Sequence, residues 1–402
     1  MNIQVIVPQG AELGTVFERQ SLPPFADLTV EFVDALSRTL LALPAARDYP
    51  ELVALGYWLR KSHVRRLQDR FVADARSDLR LPRGLAFHIA PSNVDTIFVY
   101  SWAISMLCGN PNVLRVSSRG GEQIDLLLGC LDELVRRPEF SAIRDRVRVV
   151  RYGRDDAINR MFSEHCAIRV IWGGDATVAA IRALPLPATS VELAFADKFS
   201  LVMIDAQGWL GLNAEDQARQ AELFRADVSG FNQQACSSPR LIVWVGETGP
   251  VAAARDNFWH AVAAAPEKAR QPLTAADASN RIAYAQSAAI LAGARVDSQP
   301  GESFVRLWLD APDTLAGLPF CGAGVLLEAG IARVAEIEPL LTRRIQTMAV
   351  AGFSTERLRI ELGSMTPGGI DRVVPFGHAL DFDLVWDGVD LFEAFTRRIT
   401  FP

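Results

Sequence analysis

The residue best suited to covalent chemistry is Cys236, which lies in the segment NQQACSSPR at residues 232–240. This segment follows a predicted helix and leads into an apolar run at residues 241–245. A thiol flanked by small polar residues and backbone amides at such a junction can be held as a thiolate that attacks electrophilic carbon. A buried core cysteine is the usual alternative, but Asn-Gln-Gln and Ser-Ser-Pro are poor core sequences. We therefore predict that Cys236 is a nucleophile.

The composition sets the class of protein. The chain has 402 residues, which predicts two domains of ordinary size. Hydrophobic residues make up 50% of the chain and charged residues 22%, so we expect a large core rather than disorder. The net charge of -6 argues against nucleic acid as a partner. The five cysteines are scattered without a CxxC pair, which argues against a disulfide framework and against a metal site.

The sequence shows no pattern typical of a targeting or membrane-spanning segment. The first residues, MNIQVIVP, lack the charged-then-apolar layout of a signal peptide. No apolar stretch approaches the roughly 18 residues that a spanning helix needs. Scattered cysteines in odd number are typical of a reducing compartment. We therefore expect a cytoplasmic protein without a membrane span.

Short apolar strands alternate with longer helices through most of the chain, after a helical segment at residues 27–75. In the first series we predict strands and helices in turn at residues 84–89, 96–108, 113–116, 123–136, 147–152, 155–162 and 167–172. In the second series we predict strands at 201–204, 241–245, 304–309, 347–353 and 372–375, and helices at 214–228, 251–264, 276–291, 337–344 and 355–362. Such alternation builds parallel sheets, whose ligands bind at the carboxyl ends of the strands.

Several motifs, taken in order, resemble those of the aldehyde dehydrogenase superfamily. They are a loop cysteine preceded by four motifs that each follow a predicted strand, namely Pro91-Ser92-Asn93, Arg115-Val116-Ser117, Gly153 and Gly173-Gly174. Within the superfamily the chain resembles the LuxC type of fatty-acyl-CoA reductase. That likeness lies in FHIAPSNV at 87–94, NQQACSSP at 232–239, RVVPFGHALDF at 372–382 and WDG at 386–388. It covers roughly residues 84–390 and depends on the motifs occurring together.

The resemblance implies an α/β, aldehyde-dehydrogenase-like fold with two doubly wound parallel-sheet domains and the active site between them. Residues 1–200, with their helical N-terminal segment, would form the dinucleotide-binding domain. Residues 201–375 would form the catalytic domain that carries the thiol. Residues 376–402 would return to the first domain or form an oligomer contact, and the family habit is a homo-oligomer.

The resemblance also assigns roles to single residues. Asn93 matches the asparagine whose amide forms an oxyanion hole with the backbone N–H of the nucleophile, although a turn or a helix N-cap would suit it equally. Arg115 stands beside the expected adenosine ribose, where a guanidinium could clamp a ribose phosphate, and this favours NADPH over NADH. Arg119 is the alternative residue for that contact. The cofactor-binding residues implied are Pro91, Ser92, Arg115, Ser117, Arg119, Gly153, Gly173, Gly174 and Thr177.

The chain departs from the family pattern at the glutamate that activates water in hydrolytic aldehyde dehydrogenases. Their Glu-Leu-Gly-Gly-Lys sequence corresponds here to ELAFADK at 192–198. Aligning the lysines puts Ala194 in place of the glutamate, whereas aligning on Glu192 breaks the lysine spacing. A missing base suits a thioester reductase, because its acyl partner is a thiol and not water. The family's Glu-x-Phe-Gly-Pro motif has no clear counterpart, and Glu328 is the remaining candidate for the nicotinamide ribose.

These residues predict an NADPH-dependent reductase that converts an acyl-CoA or other acyl thioester, long-chain by family type, to the aldehyde through an acyl-Cys236 intermediate. A protein acyl donor is a further partner that this function implies. One alternative is an NAD(P)-dependent aldehyde dehydrogenase that uses Glu192 to activate water. The second alternative is a non-catalytic acyl-binding assembly partner in which Cys236 is structural.

Overall fold

The computed structural model of the chain describes residues 3–75, 78–91, 96–118, 120–266, 273–298, 302–310 and 320–401. The chain divides into two compact units. Unit 1 comprises Met1–Asp197 and Phe382–Pro402, and unit 2 comprises Lys198–Asp381. The sequence placed these boundaries at residues 200 and 375. The second boundary falls later in the structure because residues 376–381 are held on a helix of unit 2, as described below.

Unit 1 contains alternating strands and helices, with three helices at its N-terminal side and a short C-terminal return. Its elements before the boundary are β1 Gln4–Val7, α1 Asp27–Ala42, α2 Pro50–Trp58, α3 Lys61–Ala75, β2 Leu79–Pro82, β3 Ala86–Ile89, α4 Ile97–Leu107, β4 Asn112–Val116, α5 Glu122–Val135, α6 Ser141–Arg144, β5 Val147–Arg151, α7 Asp156–His165, β6 Ile168–Trp172, α8 Asp175–Arg182 and β7 Val191–Phe195.

The elements of unit 2 follow the same alternation. They are β8 Phe199–Asp205, α9 Ala206–Leu210, α10 Ala214–Ser229, β9 Pro239–Val245, α11 Thr248–Ala264, α12 Ala275–Ala292, β10 Arg295–Val296, β11 Val305–Trp308, β12 Val325–Ile331, β13 Ile345–Ala351, α13 Thr355–Gly363 and β14 Arg372–Pro375. The chain then re-enters unit 1 with β15 Val385–Trp386, β16 Val389–Asp390, α14 Leu391–Phe395 and β17 Thr396–Ile399.

The main sheet of unit 1 has, within the described residues, six strands in the order β1-β5-β4-β3-β6-β7. All neighbouring pairs are parallel except β1 with β5. From the central strand β3 the chain adds β4 and β5 on one side and then β6 and β7 on the other. The direction of winding therefore reverses between β3 and β6, and a crevice for ligands is expected at such a switch point, outside the carboxyl ends of the strands.

The N-terminal helical region is three helices and not one continuous segment. Pro44 begins a short 3-10 helix and Pro50 begins α2, because proline is favoured in the first turn of a helix and breaks the interior of one. The C-terminal return pairs β17 with β2 in antiparallel register, with Thr396 opposite Pro82. The last strand of the chain thus pairs with a strand that lies some three hundred residues earlier in sequence.

The sheet of unit 2 has seven strands in its described part, in the order β10-β11-β12-β9-β8-β13-β14. All pairs are parallel except β10 with β11. Leu201 and Met203 of β8 pack into the core on one face of the sheet, whereas Val202 and Ile204 pack into the core on the other. Burial on both faces explains why these strands read as continuous apolar runs. Among the described residues, no helix is long and apolar enough to cross a membrane.

Candidate active site

The loop that carries Cys236 connects the end of α10 to the start of β9, and we call residues 231–238 the cysteine loop. Cys236 is half-buried, between full exposure and the core. Its carbonyl oxygen accepts a hydrogen bond of 2.8 Å from the Ser200 hydroxyl, which in turn accepts one of 3.1 Å from the Thr347 N–H. Ser200 and Thr347 lie near the starts of β8 and β13, so Cys236 sits at the amino-terminal edge of these parallel strands.

The cysteine loop begins with three consecutive non-glycine residues in the left-handed region. Phe231, Asn232 and Gln233 have φ values of 53°, 48° and 61°. Such a conformation costs an L-residue about 1–2 kcal/mol and persists only where the surroundings hold it in place. The loop conformation is therefore imposed by tertiary contacts and not by local preference.

Those contacts come from a second left-handed segment, which we call the facing turn, residues 321–324. Its residues Gly322, Ala323 and Gly324 have φ values of 71°, 57° and 81°. The Ala323 N–H donates to the Asn232 carbonyl over 3.0 Å, and the Gln234 side-chain amide donates to the Cys321 carbonyl over 2.9 Å. The two segments thus brace each other across nearly ninety residues of sequence.

Gln233 makes three side-chain hydrogen bonds. Its side chain is fully buried, and its Nε2 donates to the carbonyls of Pro239 and Val325 over 2.7 and 2.9 Å. Its Oε1 accepts from the Gly324 N–H over 2.8 Å. One side chain therefore ties the cysteine loop to the first residues of both β9 and β12.

The remaining four cysteines are poor nucleophiles. Cys108, Cys130 and Cys166 are buried, and burial raises the pKa of each thiol, to about 12 for Cys166. Cys321 is half-buried, and burial raises its pKa to about 11. Because the thiolate is the reactive form, these environments disfavour all four as nucleophiles.

Four of the predicted cofactor-binding residues of unit 1 each follow the carboxyl end of a strand. Pro91 follows β3, Ser117 follows β4, Gly153 follows β5 and Gly173 follows β6. Since these four strands are parallel neighbours, the structure brings their carboxyl ends to one edge of the sheet. Three further predicted site residues, Ser92, Asn93 and Arg119, lie outside the described residues.

Arg115 lies at the carboxyl end of β4, next to the end of β3, where the Ala90 N–H donates to its carbonyl over 2.9 Å. Its guanidinium carbon lies 5.3 Å from the ring centre of Tyr152. Within the described part of the chain its Nε is buried without a hydrogen-bond partner. A buried N–H without a partner costs free energy, so this guanidinium is suited to meet an acceptor from a ligand.

The Gly173-Gly174 turn begins α8. The Thr177 N–H donates to the Gly174 carbonyl over 2.8 Å, and a Cβ on Gly174 would meet no atom within 4 Å. Asp175 accepts a hydrogen bond of 3.4 Å from the Asp197 N–H. The turn therefore presents open backbone at a helix N-terminus, a geometry that suits an anion.

Glu192 is held in β7 by two ion pairs. Its Oε2 accepts from Nε of the buried Arg169 over 2.9 Å, and its Oε1 accepts from Nε of Arg182 over 2.6 Å. A carboxylate that already accepts from two guanidiniums is poorly suited to take a proton from water. This geometry disfavours Glu192 as a general base.

Glu328, the sequence candidate for the nicotinamide ribose, is fully buried in β12. Its carboxylate accepts from Trp244 over 2.9 Å, from Trp259 over 3.1 Å and from Arg255 over 2.8 Å. A carboxylate that is fully buried and accepts hydrogen bonds from three side chains belongs to an ion pair of the core. The suggestion that Glu328 binds a ribose is therefore wrong.

Asp227, which the sequence did not single out, holds part of the C-terminal motif at residues 372–382 in place. This buried carboxylate of α10 accepts from the Gly377 N–H over 2.7 Å and from the Ala379 N–H over 3.0 Å. Arg372 donates to the His378 carbonyl over 2.8 Å from the other side. The turn is thereby fixed on the helix that leads into the cysteine loop. An aspartate on a polar helix carries no sequence signal for such a contact.

Solved structures place the fold among the aldehyde dehydrogenases. The chain is similar to a salicylaldehyde dehydrogenase from Pseudomonas putida G7, with a TM-score of 0.66 and 14% identity over 94% of this chain and 85% of that one. It is similar to an NAD-dependent aldehyde dehydrogenase from Sinorhizobium meliloti, with a TM-score of 0.65 and 14% identity over 98% and 84%. It is also similar to lactaldehyde dehydrogenase from Escherichia coli, with a TM-score of 0.65 and 13% identity over 94% and 86%. The predicted aldehyde-dehydrogenase-like fold is confirmed.

The family model of the LuxC acyl-CoA reductases matches residues 61–398. The chain therefore belongs to the LuxC acyl-CoA reductase family, and the predicted resemblance is confirmed. A comparison with curated protein sequences gave no match. Family and fold together support an oxidoreductase that acts at the level of the aldehyde.

Proposed function

We propose that this protein reduces an acyl-CoA thioester to the aldehyde with NADPH, through a covalent acyl-Cys236 intermediate. The observation that carries the proposal is the setting of Cys236. It is a half-buried thiol on a strained and braced loop with polar neighbours, whereas Cys108, Cys130 and Cys166 lie in the core. Reactive cysteines occupy partially exposed sites, and buried structural cysteines are inert.

In the first half of the reaction the Cys236 sulfur attacks the thioester carbonyl carbon. The bond from that carbon to the CoA sulfur breaks, and CoA leaves as a thiolate that takes up a proton. The acyl group remains on Cys236 as a new thioester. The family resemblance assigns the developing oxyanion to the Asn93 amide and the Cys236 N–H, and one such donor is worth about 3–4 kcal/mol.

The residues at the carboxyl edge of unit 1 fit a dinucleotide. The Arg115 Nε, which has no partner among the described residues, and the N-terminus of α8 beside Gly174 offer donors for phosphate oxygens. When bound, NADPH would supply the hydride that converts the acyl thioester to a thiohemiacetal. Breaking the bond from carbon to the Cys236 sulfur then releases the aldehyde and restores the free thiol. The residues that would hold the cofactor are Pro91, Ser92, Arg115, Ser117, Arg119, Gly153, Gly173, Gly174 and Thr177.

The ion pairs of Glu192 support reduction over hydrolytic aldehyde oxidation. An aldehyde dehydrogenase that forms an acid needs a base to activate water, and Glu192 is engaged by Arg169 and Arg182. A thioester reductase has no such need, because CoA is both the leaving group of the forward reaction and the acyl acceptor of the reverse.

A turnover assay over an acyl-CoA chain-length series, with NADPH and with NADH, tests the proposal. We expect aldehyde and free CoA to form together as NADPH is consumed, with the highest rate on long chains. Cys236→Ser should abolish acyl transfer while leaving the melting temperature and NADPH binding close to those of the wild type, since a serine hydroxyl is a much weaker acid than a thiol and stays protonated.

Two outcomes would contradict the proposal. Oxidation of aldehyde to free acid in the absence of CoA would indicate a hydrolytic aldehyde dehydrogenase. Tight binding of acyl-CoA with no acylation of Cys236 would indicate a non-catalytic acyl-binding protein. Intact-mass analysis of the protein after incubation with acyl-CoA distinguishes these two cases from the proposed reductase.

A further inference from the structure

The cysteine loop and the facing turn hold each other in a conformation that neither segment prefers alone. Six residues of the two segments have left-handed φ values, four of them not glycine. Removal of the contacts between the segments would let each relax toward ordinary backbone angles, because left-handed angles are unfavourable for L-residues. The position of Cys236 therefore depends on whatever joins the two segments.

The side chains of Gln233 and Gln234 both reach the facing turn, and Gln233 makes more hydrogen bonds of the two. The Gln233 Oε1 accepts a hydrogen bond from the Gly324 N–H, and the Gln233 Nε2 donates to the carbonyls of Pro239 and Val325. Gln233 is fully buried, so water cannot replace a lost bond. Gln233 lies three residues before Cys236, and Pro239 lies three residues after it. Its amide thus spans the base of the turn on which the nucleophile sits.

We propose that Gln233 is the positioning residue of Cys236, acting on the reaction through the backbone of the cysteine loop without touching the substrate. This inference rests on the proposed function. It predicts that a change at Gln233 alters the rate of acyl transfer at saturating acyl-CoA and leaves the affinity for acyl-CoA nearly unchanged. A displacement of about 1 Å at a reacting group can cost roughly a hundredfold in rate.

Gln233→Met is the first test, because methionine keeps the volume and removes all three hydrogen bonds. We expect the acylation rate of Cys236 at saturating acyl-CoA to fall about 100-fold, with the dissociation constant of acyl-CoA within about twofold. Gln217→Met is the matched control. It removes one amide hydrogen bond, from Gln217 to the Trp209 carbonyl in the same unit, and should leave the rate unchanged.

Gln233→Glu gives a readout that general destabilisation would not produce. A protonated glutamic acid can accept from the Gly324 N–H and donate to one of the two carbonyls, whereas the ionised form faces both carbonyls without a donor. Burial raises the pKa of a carboxyl group, so we expect the ratio of variant to wild-type acylation rate to fall as pH rises from about 5 to about 8.

The other titratable and charged groups that the described residues place at this brace include Cys236, Cys321, Asp277 and Arg281, with Tyr284 and Arg240 beside Cys321. Asp277 accepts from Asn232, and its hydrogen bonds with Thr274 hold its pKa below the usual value. Arg281 donates to the Ala323 carbonyl over 2.6 Å. All of these groups are present in both proteins, so the ratio of rates removes their contribution.

Two results would overturn the inference: wild-type acylation rates in Gln233→Met, or a rate ratio for Gln233→Glu that does not change with pH. If Gln233→Met fails to fold, the glutamate variant at low pH still decides the question. If acyl-CoA does not acylate the wild-type protein at all, the proposed function fails instead. The pH dependence of Cys236 alkylation by iodoacetamide, as the ratio of Gln233→Glu to wild type, then tests the positioning role by itself.

Discussion

Gly322→Ala should displace the cysteine loop, because Gly322 contacts that loop although it lies far away in the sequence. Gly322 has φ +71°, and a Cβ there would lie 2.1 Å from the Gln234 Nε2 and 2.7 Å from the Asn232 carbonyl oxygen. The Gln234 side chain can swing away, at the loss of its bond to the Cys321 carbonyl. The Asn232 oxygen belongs to the backbone, so it must withdraw by about 0.5 Å to reach a tolerable contact.

Gly293→Ala is the matched control for Gly322→Ala. Gly293 ends α12 with φ +63°, and a Cβ there would meet no atom within 4 Å. Gly293→Ala carries the same cost of about 1–2 kcal/mol for an L-residue with left-handed angles, but its Cβ makes no close contact. We expect Gly322→Ala to lose a further 1–3 kcal/mol or so of unfolding free energy through overpacking. We expect its Cys236 acylation rate to fall about tenfold, in line with a shift of about half an ångström.

The assay pairs urea unfolding with intact-mass measurement of acyl-Cys236 formation at saturating acyl-CoA. Gly293→Ala should lose stability and keep the wild-type acylation rate. If Gly322→Ala matched Gly293→Ala in both measurements, the contact between the facing turn and the cysteine loop would not control the reactivity of Cys236.

Three further predictions concern the cofactor, the oxyanion and pH. Arg115→Ala should raise the KM for NADPH strongly and that for NADH slightly, with kcat nearly constant; Arg137→Ala, which removes an ion pair with Glu133 near the C-terminal end of α5, is the control, and equal losses for both cofactors would contradict the role. Asn93→Ala should slow acylation about a hundredfold with cofactor affinity unchanged, whereas loss of folding would mark Asn93 as a turn residue. Burial raises the pKa of Asp227 from 3.8 to about 7, although the N–H groups of Gly377 and Ala379 oppose the shift. A raised pKa stabilises the fold at low pH, and that stability is lost as pH rises through 7. The wild type should therefore lose roughly 4 kcal/mol relative to Asp227→Asn between about pH 4 and pH 7, and parallel stability curves for the two proteins would refute the assignment.

Much of the fold could be predicted because its signals are local. The strands at β3, β4, β5 and β6 are short apolar runs followed by turn residues, and the helices between them follow the order of a parallel sheet. A buried parallel strand needs apolar residues on both faces, so its sequence pattern carries its burial. The positions of the predicted cofactor-binding residues Arg115, Gly153 and Gly173 follow from the same pattern, because each lies at or just after the carboxyl end of an apolar strand.

Some elements were missed where the local pattern contradicts the final environment. Strand β12 contains Glu328 inside an apolar run, and a charge in the middle of a run does not predict a buried strand. Arg255 and two tryptophans make that burial possible, and they come from other elements. The predicted helix at 337–344 is a short 3-10 helix, Val334–Leu340, with Pro339 inside it, because proline removes the hydrogen bond that a longer helix needs.

The sequence by itself determined which residue could be the nucleophile. Cys236 is a thiol in a polar turn, and residue type and neighbours are enough to single it out. Tertiary structure alone decided how that thiol is held. The left-handed angles of Phe231, Asn232 and Gln233 are unfavourable in isolation, so no local preference predicts them. They exist because segments nearly ninety residues apart exchange hydrogen bonds that neither could form alone.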